Sequence, residues 1–275
     1  MVQLNKFLPI LSLFLFLGCS DNLNTSSPKN AKLKRISSIH VVLFNEELSC
    51  KKYLTDPEAI WYVESDYEYD HLGRLSKVSR PKYEDGKING VSSYNIYAYN
   101  AKNQLEKIEY YVANIYQGIQ RSSTYSYSYD KEGNKRKEVI SYPIASHLLD
   151  STLYYYENKR LKREEKYSDG YHGTEFWHNK LVTYIEYEYD NQGNLVKETS
   201  YYADSAGQEI PVRYNKHSYQ DGLNVKTEFF YYNNNQKMRE IRRYYDKNNN
   251  LIYLESQELL MTSSQSSYVS KYEYY

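Results

Sequence analysis

The sequence predicts an all-β protein. It reads as an antiparallel β-meander of about 14–16 strands, built from hairpin repeats of about 30 residues, curved and able to close into a barrel-like sheet. Two observations predict it. Tyrosine is abundant, with 36 in 275 residues. A Tyr-x-Tyr pair followed by turn residues recurs along the chain, and its copies keep a nearly constant spacing. The 35 basic and 35 acidic residues cancel, so no global field favours nucleic acid or an anionic surface. The tyrosine content separates the chain from polar disordered sequences, which are poor in rings.

The first segment is residues 1–18. Lys6 precedes an apolar run from Leu8 to Leu17, which is the layout of a secretory signal and too short for a spanning helix. The end of that run, "FLGC", resembles a bacterial lipobox, with Phe16 where that pattern usually has leucine. The resemblance implies cleavage before Cys19 and a lipid on Cys19, giving a membrane partner through the anchor. "CSDN" is similar to the start of surface-exported lipoproteins of Bacteroidota-like bacteria. Residues 19–31 follow as the lipidated cysteine and a Ser/Asn/Pro-rich flexible tether. Cys50, the other cysteine, then has no intramolecular partner, so no disulfide framework is expected.

A single β-repeat domain is expected over 32–275, less regular over 32–60 and repetitive over 61–275. The aligned tyrosines are Tyr69, Tyr99, Tyr129, Tyr156, Tyr189, Tyr219, Tyr245 and Tyr274, at spacings of 30, 30, 27, 33, 30, 26 and 29. In each unit the first limb alternates. In "STYSYSYD", Tyr125, Tyr127 and Tyr129 point one way and Thr124, Ser126 and Ser128 the other. Asp-x-x-Gly then makes the turn. Asp130 and Asp190 suit its first position, and Gly133 and Gly193 suit the left-handed residue that closes it. Asn103 and Asn249 replace that glycine in two copies, and Asp221-Gly222 is a two-residue hairpin pair. The second limb, such as "LVKETSYY", is another strand, and loops such as "ADSAGQEIP" join the hairpins.

"KLKRI" at Lys32–Ile36 resembles the second limb "QLEKI" at Gln104–Ile108. The array therefore begins on a second limb and ends on a first limb. Those two can pair with each other, which hides both edges of the sheet. An open twisted sheet is the competing arrangement.

"YEYDNQGNLVK" and "YEYDHLGRLSK" look like the YD repeat of RHS-type bacterial proteins, over about residues 61–275. The resemblance implies long β-sheets that curl into shells and a bias toward cell-surface roles. It carries no catalytic residue. The toxins of that family hold a C-terminal cargo, and none is expected here because the sequence ends on a half-repeat at Tyr275.

Candidate sites are few. Asp70, Asp130, Asp190 and Asp246 recur once per unit at turn starts, which explains them better than calcium, since calcium needs several oxygens converging in one loop. "GYHGTEFWHNK" is the least regular inter-repeat segment. His172, Phe176, Trp177 and His178 make it the candidate recognition loop, while the six-residue histidine spacing fits no common zinc pattern. Glu186 and Glu188 read as the solvated side of a strand, as Glu68 and Glu273 do. No catalytic, metal-binding or cofactor-binding residue is expected, and no cofactor. The expected role is lipid-anchored, non-catalytic binding or scaffolding in the bacterial cell envelope, at the outer membrane. The protein or glycan partner is not named by the sequence, and nucleic acid is not expected. The alternatives are a glycan-binding lipoprotein using exposed tyrosines, an enzyme with its site at 168–180 or 203–211, and a transmembrane barrel, for which the strands lack a clean apolar band.

Overall fold

A computed structural model describes residues 32–43, 62–114, 117–145, 148–172, 175–204, 207–259 and 265–274. Cys19 and Cys50, with the proposed signal and tether, lie outside the described residues. Sixteen strands follow in chain order. They are β1 (Leu33–Leu43), β2 (Tyr62–Tyr69), β3 (Leu75–Glu84), β4 (Lys87–Tyr99), β5 (Leu105–Asn114), β6 (Gly118–Tyr129), β7 (Lys135–Ser141) and β8 (Leu149–Glu157). Then come β9 (Arg160–His172), β10 (Glu175–Tyr189), β11 (Leu195–Ala203), β12 (Glu209–Gln220), β13 (Leu223–Tyr231), β14 (Lys237–Tyr245), β15 (Leu251–Glu258) and β16 (Gln265–Tyr274).

Each strand pairs antiparallel with its neighbours in sequence, and β1 pairs with β16, so the meander is a closed barrel. The seam is the one the sequence suggested. Leu33 lies opposite Tyr274, Ile36 opposite Tyr272 and Ser38 opposite Ser270. Closure leaves no unpaired edge to recruit another chain.

The turns follow the local chemistry. Asp190 Oδ1 accepts from the backbone N–H of Gln192 and of Asn194, and Gly193 takes φ +94°. Asp70, Asp130 and Asp246 repeat the arrangement, and Asn100 substitutes for the acid in its copy. Asn103 and Asn249 sit at φ +60° and +65°, the left-handed positions that asparagine tolerates. Asp221 and Gly222 both have positive φ, as their two-residue turn requires, and Asn158 and Lys159 do the same in the other short copy. At all eight aligned tyrosines the ladder slips, between Glu188 and Tyr189 for example, leaving one residue unopposed on the return strand. That bulge completes the turn and increases strand twist.

The slip also places the tyrosine hydroxyl. Tyr69, Tyr99, Tyr129, Tyr189, Tyr245 and Tyr274 each donate to a carbonyl at the start of a neighbouring return strand, at 2.7–2.9 Å. The acceptors are Leu33, Leu75, Leu105, Leu161, Asn224 and Leu251. The bond from Tyr69 to Leu33 crosses into β1 as the others cross within the array, so the first described strand is a genuine return limb.

The two faces differ in a repeating way. Residues opposed across a ladder share a face. One such set is Tyr67/Val78, Tyr97/Ile108, Tyr127/Glu138, Tyr154/Glu164, Tyr187/Glu198, His217/Thr227, Arg243/Leu254 and Tyr272/Ile36. This set faces the interior. Tyr154, Leu161 and Tyr187 form its buried cluster, with Ile185, Tyr189 and Leu195 packed on it. Burial pushes the Tyr67 phenol up to about 12 and drives those of Tyr127, Tyr154 and Tyr187 higher still.

The outward residue one place earlier on each return limb is Arg35, Lys77, Lys107, Lys137, Arg163, Lys197, Lys226 or Tyr253. Seven of these eight are cations, so the wall carries charge all the way round.

Candidate functional surfaces

The structure corrects the reading of 168–180 as an inter-repeat loop. These residues are the far part of the β9–β10 hairpin, which stays paired out to His172 opposite Glu175. The irregularity is a bulge. Trp177 faces Gly170 and Lys180 faces Ser168, so residues 178–179 share one opposing position. Asp169 holds the bulge. Its Oδ1 accepts from the Asn179 N–H at 2.7 Å and its Oδ2 from the Leu149 N–H at 3.2 Å, tying β8, β9 and β10 together. The Asn179 bond first, and the Leu149 bond after it, hold the Asp169 carboxyl below the usual range. Asn179 has φ +48°. The local sequence hid this because the bulge rests on an aspartate ten residues from its partner.

Of the candidate residues there, Phe176 is half-buried and packs edge-on against His178, ring centres 4.6 Å apart. His178 is 76% exposed and its Nδ1 lies 3.7 Å from Asp169. Phe176 and His178 are thus brought together near the end of the hairpin. The side chains of His172 and Trp177 lie outside the described residues. The 203–211 segment is likewise shorter than expected as a loop, because β12 begins at Glu209. Between the strands, Asp204 makes a turn closed by Gly207 N–H to the Asp204 carbonyl at 3.0 Å.

The outer wall is a lattice of tyrosines, carboxylates and cations. Arg163 lies over the Tyr184 ring at 3.7 Å and reaches Glu209 at 3.1 Å, while Tyr184 stacks on Tyr201 at 4.4 Å and donates to Glu209. Tyr155 and Tyr167 both donate to Glu165 at 2.7 Å. Lys197 bridges to Glu188 and Lys77 to Glu68. Lys237 and Arg242 converge on Glu240 at 2.7 and 2.6 Å. Glu188 therefore sits on the solvated side, as expected, and Glu186 accepts from the Tyr201 hydroxyl on that same side.

The interior holds a feature that sequence reading missed. The inward residue three places after the start of each return limb is Ile36, Val78, Ile108, Glu138, Glu164, Glu198, Thr227 or Leu254. Four in succession around the ring are polar and the other four are apolar. The acids fall on β7, β9 and β11. Burial holds the Glu138 carboxyl above its usual range, and nearby Glu164 adds to the effect. Glu164 accepts from the Tyr187 hydroxyl at 3.1 Å. For Glu198, burial alone would raise the pKa, but His217, Asn215 and the Arg243 charge outweigh it and the carboxyl lies below its usual range. Aligning return limbs column by column would have shown these acids, but only the closed barrel shows which column faces inward.

Among the described residues, nine apolar or aromatic side chains are buried against fourteen polar or charged ones. An ordinary apolar core has the opposite balance. Tyr184 and Glu240 of that set belong to the outer wall, and inside the polar positions form the arc of Glu138, Glu164, Glu198 and Thr227.

No family model matches the chain, and no curated protein matches it. Among solved structures, a porin-like protein from Bacteroides uniformis aligns over 90% of this chain and 99% of its own, at 9% identity with a TM-score of 0.52. A porin-like protein from Bacteroides vulgatus aligns over the same shares at 11% identity and TM-score 0.40. The Photorhabdus luminescens Tc holotoxin pore aligns with 84% of this chain at 15% identity and TM-score 0.33, and this chain spans 11% of the length it matches there. The first of these likenesses shows the fold, an all-β antiparallel barrel, and the other two are too loose to argue from.

Proposed function

We propose that the chain is a lipid-anchored protein of the bacterial cell envelope whose barrel has a non-catalytic binding or scaffolding role. The observation that carries this reading is the outer wall. Seven cations ring it at one level, and carboxylates such as Glu109, Glu228 and Glu240 are held there by two cations each. A barrel lying in lipid needs an apolar outer band, and each lysine or arginine near the bilayer midplane costs about 2–4 kcal/mol. The porin-like description of the Bacteroides proteins raises a lipid-embedded reading, and this wall weighs against it. The barrel sits in water and the membrane is reached through Cys19. The YD-repeat resemblance supports the same setting, and the interior arc of glutamates and tyrosines supports binding as the role.

Two measurements separate the parts of the proposal. Radiolabelled fatty acid is incorporated by the full chain and not by Cys19→Ala; equal labelling removes the anchor. In detergent phase partitioning, the intact protein enters the detergent phase, and protease cleavage within residues 20–31 moves the barrel to the aqueous phase. A cleaved barrel that stays with detergent is a lipid-embedded one.

A further inference from the structure

We infer that the outer wall of β7–β9, at the end of the barrel that carries the hairpin turns, is a basic face that binds the phosphate headgroups of an anionic bilayer. The inference deepens the envelope role proposed above. It rests on that reading for the identity of the surface, while the charge of the face does not depend on the anchor.

The ladder slip at each aligned tyrosine sends two consecutive residues of the return limb outward. On β7, Lys135 lies over the interior rings of Tyr127 and Tyr154, 5.5 and 4.1 Å from their centres, and Glu138 is also interior. Arg136 and Lys137 between them therefore both point out. On β9, Leu161 belongs to the interior cluster and Glu164 faces inward, so Lys162 and Arg163 both point out. On five other return limbs the unopposed residue is Ser76, Glu106, Val196, Val225 or Ile252, none of them a cation. Only β8 separates the two basic pairs, so they lie roughly 10 Å apart, about one Debye length at moderate salt. The two turns beside them add Lys131, Lys159 and Arg160. Lys131, Arg136, Lys137, Lys159, Arg160 and Lys162 are all exposed, against the exposed carboxylates Glu132 and Glu157. Asp130 is tied within its own turn by Asn134.

These cations are also unpaired where their counterparts are paired. Around the ring, Arg35 meets Asp66, Lys77 meets Glu68, Lys107 meets Glu109, Arg163 meets Glu165, Lys197 meets Glu188 and Lys226 meets Glu228. Lys137 lacks such a partner. Its ladder neighbours are Ser128 and Leu153, so serine stands where the β2–β3 and β10–β11 hairpins have glutamate. Among the described residues, Arg136, Lys159 and Lys162 have no ion pair either. Mixed charges keep a surface soluble, whereas a cluster of one sign concentrates a field for a partner of the other sign. The charges cancel over the chain as a whole but not over this face.

The course of the chain identifies the partner. Leu33 opens a return limb, so residues 19–31 join the barrel at this same turn end, where β1 carries a third basic pair, Lys34 and Arg35. Fully extended, those residues span at most roughly 45 Å, so lipid on Cys19 keeps the turn end close to the bilayer. The seam of β1 and β16 lies across the ring from β8. The tether on one side and the basic face on the other hold the turns against the bilayer and direct the longer loops away from it. Each lysine or arginine near an anionic membrane surface strengthens binding about fivefold.

The test uses the full chain with Cys19→Ala and Cys50→Ala, which carries no acyl group and no thiol, so the face is read apart from the anchor. Co-sedimentation is measured with phosphatidylcholine vesicles and with vesicles containing about one-third phosphatidylglycerol. The second are expected to bind at least about tenfold more tightly at about 0.1 M salt, and the difference is expected to vanish at about 0.5 M. Arg136→Gln, Lys137→Gln, Lys159→Gln and Lys162→Gln together break no ion pair, so they are expected to keep the melting temperature and abolish the preference. Lys82→Gln with Lys87→Gln, at the opposite end, is expected to retain it. A fluorophore on Gln192→Cys, in the β10–β11 turn, is expected to be quenched by a headgroup-nitroxide lipid more than one on Asp85→Cys, in the β3–β4 turn. The inference is overturned if anionic vesicles are not preferred, if the fourfold variant keeps the preference, or if Asp85→Cys is quenched as strongly. Fatty-acid labelling of the wild type reports on the anchor separately, so a labelled chain without the preference retains the anchor and loses the face.

Discussion

Tyr189 combines two roles. Its ring packs on the buried cluster of Tyr154, Leu161 and Tyr187, and its hydroxyl caps the Leu161 carbonyl. Tyr189→Phe keeps the ring and loses the bond, and the expected loss is about 1 kcal/mol by denaturant unfolding. Gly193→Ala is expected to lose about 1–2 kcal/mol in the same assay, because φ of +94° suits glycine and the added Cβ would lie 2.7 Å from Arg160 Nη2. Glu138 acts in the opposite direction. Its folded pKa is raised, so the interior favours its protonated form. That contribution is present at low pH and is lost as pH rises through the folded value. Glu138→Gln is therefore expected to raise the melting temperature at pH 7 and to change it little at pH 4, and a loss at pH 7 would contradict the account. At this scale the sequence showed the turn residues plainly, because Asp190, Gly193, Asn103 and Asn249 act within their own hairpins. It hid Glu138, Glu164 and Glu198, whose role depends on which side of each strand is concave.

Each hairpin is fixed by its turn and its bulge, and both are written within five residues. That is why seven turns were legible and the β9–β10 tip was not. There Asp169 acts across three strands, and residues that read as a loop became paired strand. The outer lattice is likewise an element-scale property. For Glu109, Glu165, Glu228 and Glu240, burial alone would raise the pKa, but their lysine, arginine and tyrosine partners outweigh it and hold each carboxyl below its usual range. A depressed folded pKa contributes stability above the unfolded value, and that stability is lost as pH falls through the folded one. The denaturant midpoint should therefore fall from about pH 4.5 downward, more steeply at low salt than at high salt. A midpoint flat to pH 3 would show that these pairs contribute nothing.

Closure was legible at the scale of the whole molecule from five residues, because "KLKRI" has the pattern of every other return limb. The number of strands followed from the repeat count, but the polar character of the interior did not. The seam can be tested directly. Ser38 and Ser270 face each other across β1 and β16. In a Cys50→Ala background, Ser38→Cys with Ser270→Cys should oxidise to an intramolecular cross-link, seen as a joined peptide after digestion. Two free thiols after oxidation would mean an open sheet.

The seam also has a consequence for synthesis. It falls within a hairpin, not between two hairpins, so the unit it completes is divided between the two ends of the ring. β1 leaves the ribosome early, yet its partner Tyr274 lies 241 positions later than Leu33. For that whole interval one edge of a growing tyrosine-rich sheet stays unsatisfied, and the contact that retires it is among the most sequence-distant in the molecule. The nascent chain must therefore be shielded until its last strand arrives. A chain stalled one strand short would expose two edges at once and could join a second stalled copy as readily as close on itself.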